Sequence, residues 1–174
     1  MFARRALKVS SVVALSFGLL LLASAEAAGP SPKDAAKYHE QLKSAKDAKA
    51  KVEALNELGK LGQIQKALVT PSMDLIVKSL EDKDATVRSA GAKALGMIDP
   101  DPKVAVPALL KLVKEEKDES VKIAAITGLG LMGDNAKDAS TELRNIMKAE
   151  KEDKKSKLGK AAKTALESIN GKKK

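Results

Sequence analysis

One short phrase of sequence is written four times along this chain. Val87-Arg-Ser-Ala-Gly-Ala-Lys-Ala-Leu-Gly96 and Val121-Lys-Ile-Ala-Ala-Ile-Thr-Gly-Leu-Gly130 are near copies, and Leu158-Gly-Lys-Ala-Ala-Lys-Thr-Ala-Leu-Glu167 is a looser one. Leu95, Leu129 and Leu166 are separated by 34 and 37 residues, and a step of 37 back from Leu95 reaches Leu58, inside Ala50-Lys-Val-Glu-Ala-Leu-Asn-Glu-Leu-Gly59. A period of this length predicts a helical solenoid, in which a unit buries its apolar face only against its neighbours. The product of such stacking is an extended binding surface.

Each copy divides into two helices, the second being the clearer. Val87, Ala90, Ala94 and Leu95 fall at the three- and four-residue spacing of one helical face, as do Val121, Ala124, Ala125, Leu129 and Met132. The preceding partner helices are expected over Ser72 to Leu80 and Ala105 to Lys114, with Pro71 and Pro107 near their starts. Repeat one pairs Asp34 to Ser44 with Lys49 to Leu61, and repeat four pairs Ala139 to Ala149 with Lys157 to Ile169. Asp82-Lys-Asp-Ala-Thr and Glu116-Lys-Asp-Glu-Ser join first to second helix, with Thr86 and Ser120 as N-caps. Gly96, Gly133 and Asp99-Pro-Asp-Pro102 are expected to break the chain before the next repeat.

The segment Leu80-Glu-Asp-Lys-Asp-Ala-Thr-Val-Arg-Ser-Ala-Gly-Ala-Lys-Ala-Leu-Gly96 resembles the HEAT repeat in its short bacterial form. The expected fold is all-α, an α-solenoid of about four HEAT-like helix pairs behind a cleavable signal peptide. The Trp and Tyr signature of tetratricopeptide repeats, which have a similar period, is missing. The resemblance implies that second helices line the inner face. It also brings a charged regularity: Asp47, Asp84 and Asp118 stand three residues before the Val position, and Lys51, Arg88 and Lys122 one after it. Acid and base are expected to stack into a ladder along the turns.

The N-terminus has a different grammar. Arg4, Arg5 and Lys8 precede an uncharged run from Val9 to Ala23, followed by small residues around Ala25 and Ala27. This is the layout of a secretory signal peptide, with an apolar core short for a membrane span. The chain therefore divides into a leader (1–27), a linker (28–33), a repeat domain (34–170, repeats 34–62, 63–99, 100–134 and 135–170) and a basic tail (171–174). Export to the periplasm or medium is the expected destination. With no cysteine, an exported chain has neither disulfides nor thiolate chemistry, and lipidation at a cleavage-site cysteine is excluded. Aromatic residues make up only 2% of the chain, so its core must be Leu, Ile, Val, Ala and Met, packed closely through small side chains.

Charge is distributed unevenly. Beyond the leader there are 29 basic and 22 acidic side chains, and residues 148–174 hold ten lysines against Glu150, Glu152, Asp153 and Glu167. The excess is thus a C-terminal feature, and repeat four reads as a lysine-rich cap. It permits contact with a membrane or polyanion; the near-neutral middle offers no track for nucleic acid.

Little in the sequence points to catalysis. Gly128-Leu-Gly-Leu-Met-Gly133 matches a dinucleotide fingerprint, but its glycines close a helix where the fingerprint must open one. His39 is the single histidine and is expected at the surface. The acidic groups at Glu115, Glu116, Asp118, Glu119, Asp99 and Asp101 lack the alternation of a calcium loop. No catalytic, cofactor or metal residues are assigned. The resemblance also includes lyases of photosynthetic antennae and DNA-binding proteins, both of which an export signal disfavours.

The expected function is a non-enzymatic protein-binding scaffold or adaptor, a monomer whose partner the sequence does not name. The first alternative is an electrostatic adaptor that grips an anionic envelope component through the lysine-rich repeat. The second is a lyase-type enzyme or subunit. Candidate partner-binding residues are Arg88, Lys93, Lys122, Thr127 and Lys160; Val87, Leu95, Val121, Leu129, Leu158 and Leu166 are structural repeat positions.

Overall fold

A computed structural model describes residues 31–151 and 155–171. The expected leader, half of the linker and the last three lysines lie outside the described residues. Among the described residues, eight α-helices form four pairs: α1 (Pro32–Ser44) with α2 (Ala48–Ile64), α3 (Met73–Ser79) with α4 (Ala85–Ile98), α5 (Pro102–Glu115) with α6 (Glu119–Leu131), and α7 (Ser140–Ala149) with α8 (Lys157–Ile169). The second helices α2, α4, α6 and α8 pack in series, while the first helices rest mainly on their own partners. This is the stacking of an α-solenoid.

Helix starts are fixed by side chains that satisfy the free N–H groups of a first turn. Asp47 accepts from the Ala50 N–H at 2.8 Å, Asp84 from Thr86 at 2.8 Å, and Asp118 from Ser120 and Val121 at 2.8 and 3.2 Å. Thr86 and Ser120 are therefore not the caps; they lie inside the first turns that Asp84 and Asp118 cap. Carboxylates two residues upstream start each helix earlier, taking the N–H groups of Thr86, Ser120 and Val121, and carry a charge suited to a helix N-terminus. Ser31 and Asp34 form a capping box, which starts α1 two residues into the expected linker.

Several boundaries move for physical reasons. Pro102 takes the first turn of α5, so Pro107 lies within that helix rather than at its start. Before α3, residues Lys66–Leu68 and Thr70–Ser72 form two short 3-10 turns that bury Val69 completely. Gly96 does not end α4, which runs on to Ile98; Asp99, in the left-handed region at φ 49°, forms the C-cap. Gly133, at φ 52°, follows α6 and fits its expected role.

The core is aliphatic throughout. Leu55, Leu58, Val87, Leu95, Val121, Ile126 and Leu129 have no accessible surface, Leu166 is buried, and Leu158 is half-buried at the edge. The interfaces between second helices repeat a small-on-small contact. A Cβ on Gly59 would lie 3.1 Å from Ala94 Cα, one on Gly96 would lie 2.5 Å from the Gly128 oxygen, and one on Gly130 would lie 2.9 Å from Ala165 Cα. Gly59, Gly96 and Gly130 share one repeat position, and Ala94, Gly128 and Ala165 another. The fourth member of the first set is Glu167 and the missing first member of the second set is Glu57, so the close contact cannot continue past either end.

Candidate interaction surfaces

At the turn end of the stack, a charged ladder links the repeats. Lys51 Nζ lies 2.6 Å from Asp82, and Arg88 reaches Glu116 with Nε at 2.6 Å and Nη2 at 3.2 Å. Arg88 Nη1 also donates to the carbonyls of Asp82 and Lys83, which clips the turn of its own repeat. The ladder exists with different acids from those expected: Asp47, Asp84 and Asp118 are occupied as caps, and the pairing carboxylates stand two residues ahead of a cap. These acids also organise their turns, since Asp82 accepts from the Asp84 N–H and Glu116 from those of Lys117 and Asp118. Arg88 holds the Glu116 carboxyl down at about 2, against the burial that raises it; the backbone donors lower it further. Lys51 likewise lowers Asp82. The third base, Lys122, is half-buried; the position that matches Asp82 and Glu116 in the next repeat, Asp153, lies outside the described residues.

The other end of the stack is tied by neutral and mixed contacts. Lys66 Nζ donates to the Asp99 carbonyl, and Asn135 Nδ2 donates to both oxygens of the Asp99 carboxylate at 3.0 and 2.8 Å. With Asp101 capping α5 and Asp118 capping α6, four of the acids singled out in the sequence, Asp99, Asp101, Glu116 and Asp118, have structural work. No group of His, Asp or Glu among the described residues is placed to hold a metal ion. His39 is half-buried, not open to solvent: its Nδ1 lies 3.0 Å from Ser72 Oγ and ties α1 to the turn before α3. Gly128 and Gly130 lie within α6 at helix contacts, away from any strand-to-helix loop.

The second-helix face carries the surface that the repeat brings into register. Asn56, Lys93, Thr127 and Thr164 occupy one repeat position on α2, α4, α6 and α8, and all four are exposed. Beside this row run Met97, half-buried, and Leu131, which is 50% exposed. On its other side are Val52, Ser89 and Ile123, half-buried, and exposed Lys160. Thr127 and Lys160 line a shallow dip with Leu131, Ala161 and Thr164, while the Thr127 hydroxyl also donates to the Ile123 carbonyl. Lys93, Thr127 and Lys160 thus belong to this face, whereas Arg88 and Lys122 sit at the turn end. The row Asn56, Lys93, Thr127, Thr164 can be found in the sequence once equivalent positions are aligned; the sequence candidates hold two of its members, Lys93 and Thr127.

A further groove of about 750 Å³ opens between α3 and α5 on the opposite side. Its floor is Val77, Leu80, Ala108 and Leu112, and Arg88 and Glu116 close one end. Glu81 and Lys111 bridge its mouth at 3.2 Å. Sequence reasoning missed this feature because it arises from the separation of two first helices, not from any motif.

Paired antiparallel helices, second helices stacked in series and charged rungs between turns define an α-solenoid. The family model for HEAT repeats matches residues 35–130, and the chain belongs to that family. Among solved structures, the chain is similar to the crystal structure of an engineered protein, at 23% identity and a TM-score of 0.58. The match covers 80% of this chain and 64% of the engineered one, so it spans less than two thirds of that chain's length; it supports the fold. No curated protein matches the chain in sequence.

Proposed function

We propose that this HEAT-repeat chain is an exported, non-enzymatic scaffold that binds a protein partner along its second-helix face. The observation that carries the reading is the exposed in-register row Asn56, Lys93, Thr127 and Thr164, bordered by Met97 and Leu131. Hydrogen-bonding groups beside partly exposed apolar side chains suit a protein interface, whose polar groups orient and whose apolar groups supply affinity. Packed helices lie about 8–10 Å apart, and an extended chain advances about 10 Å in three residues. A partner segment crossing the helices would therefore meet one repeat with every third residue.

Capture of partners from envelope and secreted extracts by residues 28–174 tests the reading. Retention at high salt is expected, because an interface of this composition does not depend on long-range charge. Lys93→Glu combined with Thr127→Arg should abolish it while leaving the thermal midpoint unchanged. Retention by the double variant would reject the assignment of this face.

A further inference from the structure

We propose that the C-terminal end of the stack docks on an anionic phospholipid surface, a role separate from the second-helix face. On α7, Arg144, Met147 and Lys148 follow at three- and four-residue spacing and are all exposed, so they share one side of the helix, and exposed Lys151 lies just beyond its C-cap. Glu142 marks the opposite flank: it reaches back to Lys114 on α5 at 3.8 Å. The side carrying Arg144 and Met147 therefore turns towards the free end of the stack. On α8, Lys163 is exposed one turn beyond Lys160, which borders the second-helix face. Glu167 follows on the same side, at the repeat position that would face a fifth repeat.

Residues 148–174 hold ten lysines against four acids, Glu152 and Asp153 among them, so the end stays basic, and the acids among the described residues are turned to other contacts. Glu142 is engaged with α5, Glu150 leans on the start of α8 beside Gly159, and Glu167 is half-buried. Three further lysines, Lys172 to Lys174, follow in sequence. Basic residues clustered on an amphipathic helix, with an apolar side chain among them, suit the boundary between headgroups and acyl chains. Lysines act there as point charges and need no shaped acceptor. Met147, 36% exposed, supplies the apolar contact. No described helix is long and apolar enough to cross a membrane, so the contact is with its surface.

The occupant is a bilayer rather than a second copy of the chain. The opposite end presents Lys33, Asp34, Lys37, Glu40 and Lys43, a mixed surface without net attraction, and Glu57 and Glu167 prevent close helix contact. Docking by the end leaves the second helices free, which would hold a scaffold at an envelope membrane without covering its working face.

Co-sedimentation tests this with vesicles of phosphatidylglycerol and phosphatidylcholine, using residues 28–174, which contain every described helix. Binding is expected at low salt and should be lost at high salt or with pure phosphatidylcholine. Arg144→Glu, Lys151→Glu and Lys163→Glu together should weaken binding at least tenfold. The same charge change at exposed Lys33, Lys93 and Lys103 should weaken it less than threefold. Met147→Ala should weaken it without changing net charge. Absence of binding, equal losses in the two triple variants, or full displacement by a short soluble polyanion that leaves Met147→Ala indistinguishable from the parent would overturn the proposal. Circular dichroism confirms that each variant is folded.

Discussion

Arg88 and Glu116 join repeat two to repeat three through two parallel contacts, Nε to Oε2 at 2.6 Å and Nη2 to Oε1 at 3.2 Å. Their side chains are only 18% and 10% exposed, so the pair is screened less than a surface ion pair. Because Arg88 also donates to Asp82 and Lys83, and Glu116 accepts from Lys117 and Asp118, the pair locks two turns as well as two charges. Removing either partner should cost about 1–3 kcal/mol, between the values for exposed and fully buried pairs. Urea denaturation of Arg88→Ala and Glu116→Gln, with the double variant to close the cycle, measures the coupling.

The same pair sets an acid limit. Glu116 has a folded pKa of about 2, below its ordinary 4.5, so its ionised form favours folding. Its contribution is complete above pH 4.5 or so and fades as pH falls towards 2. Asp82 and Asp84 are shifted in the same direction by Lys51 and Thr86 respectively. Thermal midpoints measured between pH 6 and pH 2 should fall below about pH 4.5, and Glu116→Gln should flatten part of that fall.

Gly96 should tolerate no side chain. A Cβ there would lie 2.5 Å from a backbone oxygen of α6, which can yield only if the two helices separate. Gly96→Ala is expected to destabilise by about 2–3 kcal/mol despite its better helix propensity. At Lys93, exposed on the same helix, alanine should change stability by less than about 0.5 kcal/mol. Equal midpoints for the two variants would contradict the close contact of α4 with α6.

Val121 and Val104 separate burial from composition. Val121 has no accessible surface, whereas Val104 is 52% exposed at the edge of the α3–α5 groove. Val121→Asp should cost at least about 3 kcal/mol through an unpaired buried charge, and Val104→Asp less than about 1 kcal/mol. Denaturant titration of both distinguishes them.

Much of this architecture was legible because apolar positions recur: Val87, Leu95, Val121 and Leu129 were read as core from spacing alone and all are buried. The α8 bounds, Lys157 and Ile169, coincide with the pattern. Residues with two physical uses were harder. Gly96 resembles a helix stop, yet serves a helix crossing; Asp84 resembles a ladder acid, yet caps α4, and Asp82 takes the rung. The pairing partner of His39, Ser72, is 33 residues away and no local pattern announces it. Half of the second-helix row, Lys93 and Thr127, is legible from position on the second helices of the two clearest repeats; Asn56 and Thr164 lie in the terminal repeats, where the pattern is weaker.

The most direct test places a photocrosslinking amino acid at Thr127, at Thr164 and, as a control, at Lys103 on a first helix, then exposes the protein to light in its native extract. Adducts to one shared partner from Thr127 and Thr164, with none from Lys103, are the predicted result. Adducts from Lys103 alone, or none from the second-helix positions, would contradict a scaffold that binds along this face.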